Sequence, residues 1–314
     1  MASRRSGYLL VCGGSALFAS TGVVSAVAFE GGVAPIELAA LRSYIAALIL
    51  LPFLLLVARR IRRADLLPIV LFALIGIVLA QGFYYGAISR MDIAVALVIV
   101  YTGPLLVAGY QRAFHAERLP LIGYLAMVLA VTGVAIAVLG GSGGLAAISL
   151  LGVGFALLTA VCFAGQAILG ARQPLTLPPL ARTGAGMAAA AVIWIPLVPI
   201  WALPLDVFGD TAAFTGRFDL EVPVGAAVLY VAVFGSVVPY LLLIMGLARI
   251  GPGAGSMAGM TEPVVAPLLA WFALGQVLTP LQALGVALTI ACVAIVERQR
   301  YRLRRVPESY VAEL

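Results

Sequence analysis

Residues Gly253 to Leu274 read GAGSMAGMTEPVVAPLLAWFAL. The run is apolar over a length that crosses a bilayer's hydrocarbon core, about 30 Å or roughly 20 residues of helix. Glu262 lies at its centre, where a charge costs at least ~2.5 kcal/mol on insertion scales; such a carboxylate must be buried against protein or water and is a functional candidate. Pro263 follows it and removes a backbone hydrogen bond, and Pro267 lies one turn on. A spanning helix interrupted beside a charge is a device by which transporters expose polar backbone at mid-membrane. The plainer alternative is a packing kink, with the Glu262 carboxyl bonded to freed carbonyls.

The rest of the chain agrees with a membrane setting. It is 63% hydrophobic and 10% charged, with mean hydropathy +1.14, whereas soluble domains carry about 25% charged residues. Apolar runs of about 20 residues separated by short polar loops predict an all-α polytopic membrane protein; a barrel would show alternating segments of about ten. The first run, Gly7 to Phe29, is too long for a signal-peptide core and is expected to be the first span. Cys12, Cys162 and Cys292 all fall in apolar runs and form no metal-binding or CxxC grouping, and His115 stands alone in a loop. No metal or cofactor is expected. Nor does the chain carry HExxH, GxSxG or paired intramembrane aspartates, so an enzyme is not expected.

Ten spans are predicted, at about 7–29, 36–57, 66–88, 93–113, 120–139, 149–170, 180–202, 223–247, 253–274 and 278–296. The net charge of +6 comes from arginine alone among the bases, since the chain has no lysine. With the termini in the cytoplasm, the spans leave only Arg90 and Arg217 in outer loops and Arg42 within span 2; all other arginines fall inside. That asymmetry is the positive-inside pattern. It reads the basic balance as topology and contact with anionic lipid, not nucleic acid.

The sequence repeats itself at an offset of 159 residues. Arg90 falls on Arg249, Pro104 on Pro263, Leu119 on Leu278, Leu125 on Leu284, and Val134, Ala135 and Ile136 on Val293, Ala294 and Ile295. A looser match sets Phe18 and Ala19 on Phe163 and Ala164. The expected organisation is a first five-helix unit over 1–144, a second over 145–297, and an arginine-rich cytoplasmic tail over 298–314. Five is odd, so the second unit enters the membrane inverted, an arrangement that places a ligand site near mid-membrane where the halves meet.

The segments Phe83 to Val107, FYYGAISRMDIAVALVIVYTGPLLV, and Gly246 to Leu284, GLARIGPGAGSMAGMTEPVVAPLLAWFALGQVLTPLQAL, resemble the two EamA repeats of the drug/metabolite transporter superfamily. The likeness runs from about Gly7 to Val296. The turn Ala116 to Leu119, AERL, matches the family's acidic turn, while its second-half equivalent carries Gln276 where an acid is common. The resemblance implies two inverted five-helix units and export of small metabolites across a bacterial inner membrane, with amino-acid exporters of the YddG type the nearest likeness.

An exporter of this design needs a polar chamber in an apolar bundle, so polar residues at mid-span are the candidates. For substrate binding these are Glu262, Arg42, Gln81, Tyr84, Tyr101, Gln166, Tyr240, Ser20 and Trp271. Arg42, in the outer third of span 2, either snorkels to the interface or faces the chamber, where it can meet a substrate carboxylate or Glu262. Gln81 and Gln166 need buried partners, which interhelical packing alone can supply. Pro104, Pro263, Gly255 and Gly259 are candidates for hinges or close packing. Glu262 falls on Gly103 at the repeat offset, so the charge breaks the internal symmetry. The expected partners are an amino acid or similar small amphiphile, protons and lipid. The expected mechanism is alternating access, and the competing substrate class is drugs or organic cations, held by one carboxylate among aromatics.

Overall fold

The computed structural model describes residues 4–56, 58–114, 120–141, 149–170, 178–213, 221–250 and 258–303. Gly255, His115, the 116–119 turn and the tail beyond 303 lie outside the described residues. The chain is mostly helical. In order come α1 (Arg4–Glu30), α2 (Pro35–Leu55), α3 (Arg63–Ala73), α4 (Ala80–Ile88), α5 (Ile93–Val100), α6 (Gly103–Phe114), α7 (Leu121–Leu139), α8 (Leu150–Gly170), α9 (Pro179–Trp194), α10 (Val224–Ala232), α11 (Val238–Ile250), α12 (Glu262–Leu274) and α13 (Pro280–Leu303). A short hairpin, β1 (Thr211–Ala213) with β2 (Glu221–Pro223), precedes α10.

Eight helical segments among the described residues are long and apolar enough to cross a membrane. Two predicted spans differ. Residues 180–202 carry α9 and then turns, because Pro196 and Pro199 lack amide donors and push the residues before them out of helical geometry. In residues 253–274 the described helix is the 13-residue α12. Two starts are fixed by acidic side chains reaching back to a free amide: Glu37 to the Ala34 N–H at 2.8 Å and Asp65 to the Arg62 N–H at 2.9 Å.

The offset of 159 recurs in the backbone. A π-helical segment, Leu74–Leu79, joins α3 to α4, and a second, Val233–Val237, joins α10 to α11. Leu74 and Val233 are 159 apart. The break between α5 and α6 at 101–102 is matched by the break at 260–261 before α12. Each break is tied in the same way: Thr102 Oγ1 donates to the Ile99 carbonyl and Thr261 Oγ1 to the Ala258 carbonyl, both at 2.7 Å. Arg90 and Arg249, another matched pair, each bond the carbonyl four residues back.

Packing follows the same exchange. Helix α1 lies along α10 and α11 while α8 lies along the π segment and α4; α1 meets α12 while α8 meets α5 and α6. Helix α2 packs on α9, and α7 on α13. The last pair is in tight backbone contact. A Cβ on Gly285 would stand 2.5 Å from the Ala137 amide nitrogen, and one on Gly133 would stand 2.9 Å from the Gly285 carbonyl, so only glycine permits this contact. There Thr289 Oγ1 donates to the Ala130 carbonyl at 3.2 Å, joining residues 159 apart.

One expectation is corrected here. Pro263 does not interrupt a helix interior. It occupies the first turn of α12, where its missing N–H has no helical partner to lose. The interruption precedes it, at 260–261, and Pro104 stands likewise in the first turn of α6.

Candidate functional site

The two breaks and the two π segments converge on the bundle interior, where two cavities meet. The first, about 400 Å³, reaches toward the end where α1 begins and α11 ends; its wall includes Ser15, Tyr101, Pro104, Val107, Gly259 and Glu297. The second, about 230 Å³, lies toward the opposite end, bounded by Thr21, Arg42, Gln81, Tyr84, Leu97 and Tyr240. Phe18, Phe163, Gln166, Leu243 and Glu262 belong to both. The first volume falls in the range of small-molecule sites, roughly 300–1,000 Å³.

Arg42 does not snorkel. It is 4% exposed, and its Nε donates to Ser236 Oγ in the second π segment while Nη1 donates to Gln81 Oε1 on α4. The Tyr85 hydroxyl lies 3.5 Å from Nη1. Two bonds of this kind fix the guanidinium plane between the halves, and Nη2 makes no hydrogen bond among the described residues. Glu262, at the start of α12, lies within electrostatic reach of the Tyr101 hydroxyl in the opposite break and of Arg42. Acid and base therefore border one cavity without forming a direct pair.

Gln166 reaches from α8 to the first π segment, where its Nε2 donates to the Gly76 carbonyl at 2.8 Å. A Cβ on Gly76 would stand 2.7 Å from Gln166 Cγ; at the equivalent Gly235 it would stand 2.6 Å from Thr21 Oγ1. The same seat is thus filled by an amide in one half and a hydroxyl in the other. Tyr240 meets Phe18 edge to face at 5.4 Å.

Of the predicted residues, Glu262, Arg42, Gln81, Tyr84, Tyr101, Gln166 and Tyr240 are brought together. Two are not. Ser20 donates to the Leu17 carbonyl and shares a hydrogen bond with the Tyr230 hydroxyl, outside either cavity wall. Trp271 is 44% exposed on the outside of α12. Gly259 borders the first cavity, and an added Cβ there would meet open space, so it is not a close-packing glycine. The sequence reading missed Glu297, Leu243 and the site role of Phe18 and Phe163, although the repeat match of the two phenylalanines was a usable signal.

A helical bundle with buried charges turned onto internal chambers is the architecture of a multi-pass membrane transporter. The chain belongs to the EamA-like transporter family, whose model matches residues 5–139 and 150–298. It is 27% identical over 255 residues to the threonine/homoserine exporter RhtA of Escherichia coli K12, covering 80% of this chain and 78% of that one. The uncharacterized transporter YwfM of Bacillus subtilis is 26% identical over 223 residues, 70% of each chain. The uncharacterized inner membrane transporter YedA of E. coli K12 is 26% identical over 271 residues, 85% of this chain and 83% of its own. One solved crystal structure superposes with TM-score 0.61 over 96% of this chain and 100% of its own, at 19% identity, a likeness that speaks for the fold alone.

Proposed function

We propose that this chain exports amino acids from the bacterial cytoplasm by alternating access, its substrate held where the two cavities join. The observation that carries this reading is the placement of Arg42 and Glu262 on the wall of one 230 Å³ cavity. Arg42 offers Nη2 to a carboxylate, and Glu262 offers an acceptor to an ammonium group or holds a proton. A zwitterion satisfies both charges at once. The likeness to RhtA, a threonine/homoserine exporter, supports the same class.

The halves act as inverted five-crossing units, with α9 and α12 completing the crossings shortened by prolines and the break. Both termini lie in the cytoplasm, as the arginine distribution argues; a fluorescent protein fused to the C-terminus should fold and fluoresce. Rocking of one unit against the other exposes the site to each side in turn.

In proteoliposomes the purified protein should drive counterflow of L-threonine, and Glu262→Gln should abolish it while remaining monodisperse. Unchanged flux in that variant removes Glu262 from the mechanism. Export of organic cations is the second reading, favoured by Tyr84, Tyr101, Phe18 and Phe163 around the Glu262 carboxyl and opposed by Arg42 on the same wall. Competition by quaternary amines, with none by amino acids, would decide for it.

A further inference from the structure

Ser236 is fully buried in the second π segment and borders neither cavity. A hydroxyl sealed in an apolar bundle needs a partner, and helices commonly supply one in the carbonyl a turn back. Ser25, Ser43, Thr159 and Thr289 all donate to the carbonyl four residues back. Ser236 departs from them. Among the described residues its Oγ has one partner, accepting from Arg42 Nε of the other half.

The repeat shows that packing alone does not require this pair. Helix α2 meets the second π segment as α9 meets the first. At the offset of 159 Ser236 falls on Ile77, and at the offset of the Phe18–Phe163 match Arg42 falls on Met187. Both equivalents are buried and apolar. One crossing is thus packed with hydrocarbon, whereas its counterpart carries a guanidinium and the hydroxyl that receives it. The polar version differs in what it faces: Arg42 borders the second cavity. Gln81 takes its Nη1, which leaves Nη2 for a ligand.

We infer that Ser236 is a positioning residue for the substrate carboxylate, acting through Arg42. This rests on the exporter reading above and deepens it by naming what separates amino acids from amines at that site. With Nε and Nη1 both donating, the guanidinium plane is set before the ligand arrives, and less ordering is left for binding to supply. Gln81 lines the cavity itself, so its loss would mix a direct contact with an indirect one. Ser236 reaches the substrate only through the arginine. It also comes from the opposite half, so recognition of the carboxylate depends on how the halves stand to one another.

The test is L-threonine counterflow in proteoliposomes with 1-amino-2-propanol as competitor, an amine that keeps the ammonium and hydroxyl and lacks the carboxylate. Ser236→Ala should raise the half-saturation concentration for L-threonine about tenfold, the scale of one hydrogen bond to a charged group, with the maximal rate kept. The inhibition constant of the amine should stay at its wild-type value, so the preference for the acid narrows by the same factor. Ser236→Thr, which retains the hydroxyl, should recover part of the loss. Ser236→Cys, near in size but a weak acceptor, should resemble Ser236→Ala and stands in for it if the alanine form aggregates. An unchanged half-saturation value, with an active wild type, overturns this inference and leaves the exporter reading standing. Equal weakening of the amine also overturns it, since that reports general distortion. If the amine is too weak to inhibit the wild type, failure of Ser236→Thr to recover any of the loss overturns it instead. A wild type that moves no amino acid brings down the exporter reading and this inference together.

Discussion

Arg42 anchors the polar part of the bundle, and its removal has a calculable consequence. Arg42→Ala leaves Ser236 Oγ and Gln81 Oε1 without their donor in an apolar interior, at a cost of about 1–3 kcal/mol for each buried group left unsatisfied. The variant should unfold several degrees lower in detergent by about the amount such a loss implies. Arg42→Lys should fall between it and wild type, since one ammonium cannot reproduce the planar fork. Asp92, just before α5 and outside the spans, behaves differently: burial pushes its carboxyl up from the ordinary range. Folding therefore disfavours its charged form. Its contribution to stability is intact below the ordinary carboxylate range and is lost as pH rises through the raised value. Asp92→Asn should match wild type in thermal unfolding at low pH and exceed it at neutral pH.

Among the helices, the two π segments and the two breaks are the features that aim side chains at the cavities. Gly76→Ala and Gly235→Ala each force a Cβ against one side chain, that of Gln166 or Thr21, so both should destabilise, by about 1–3 kcal/mol as overpacking does. Pro263→Ala, in contrast, should cost under about 1 kcal/mol, because a first-turn proline has no helical bond to give up; thermal melts of the three variants side by side check the order. These elements also show what the sequence could reveal. The offset of 159 was legible because arginines and prolines are rare in a leucine-rich chain, and it carried through to hydrogen bonds. The π segments were not legible, since LIGIVL and VFGSV share only a glycine and a valine and that glycine's meaning lies in the helix facing it. Pro263 drew attention to itself while the interruption lay before it. Arg42's direction was open because α2 is apolar on every side, leaving no stripe to set its rotation. Trp271 was misplaced for the same reason on α12. Glu297 escaped because the arginines after it made the helix end look solvated.

Taken entire, the molecule places equivalent positions of its two halves in unequal environments. Val107 borders the first cavity, while Ala266, its partner at the offset, is fully buried. Gly22, partner of the cavity-lining Ala167 at the offset of the Phe18–Phe163 match, is closed over by the Tyr84 hydroxyl and Ile93. The proposed rocking exchanges these environments. In a cysteine-free background, Val107→Cys should react with a methanethiosulfonate reagent at rest and lose reactivity during turnover, and Ala266→Cys should do the reverse; parallel changes at both positions would contradict exchange. The α7–α13 seam follows neither chamber. There Ala130 touches Thr289, so each ancestral copy meets its own counterpart. Elsewhere equivalent positions differ, with Glu262 in one half and Gly103 in the other, and each meets different neighbours. Along the seam a thickening on one side must be answered by a thinning on the other, so divergence there proceeds by compensated steps, and the line of contact keeps the memory of the duplication longest.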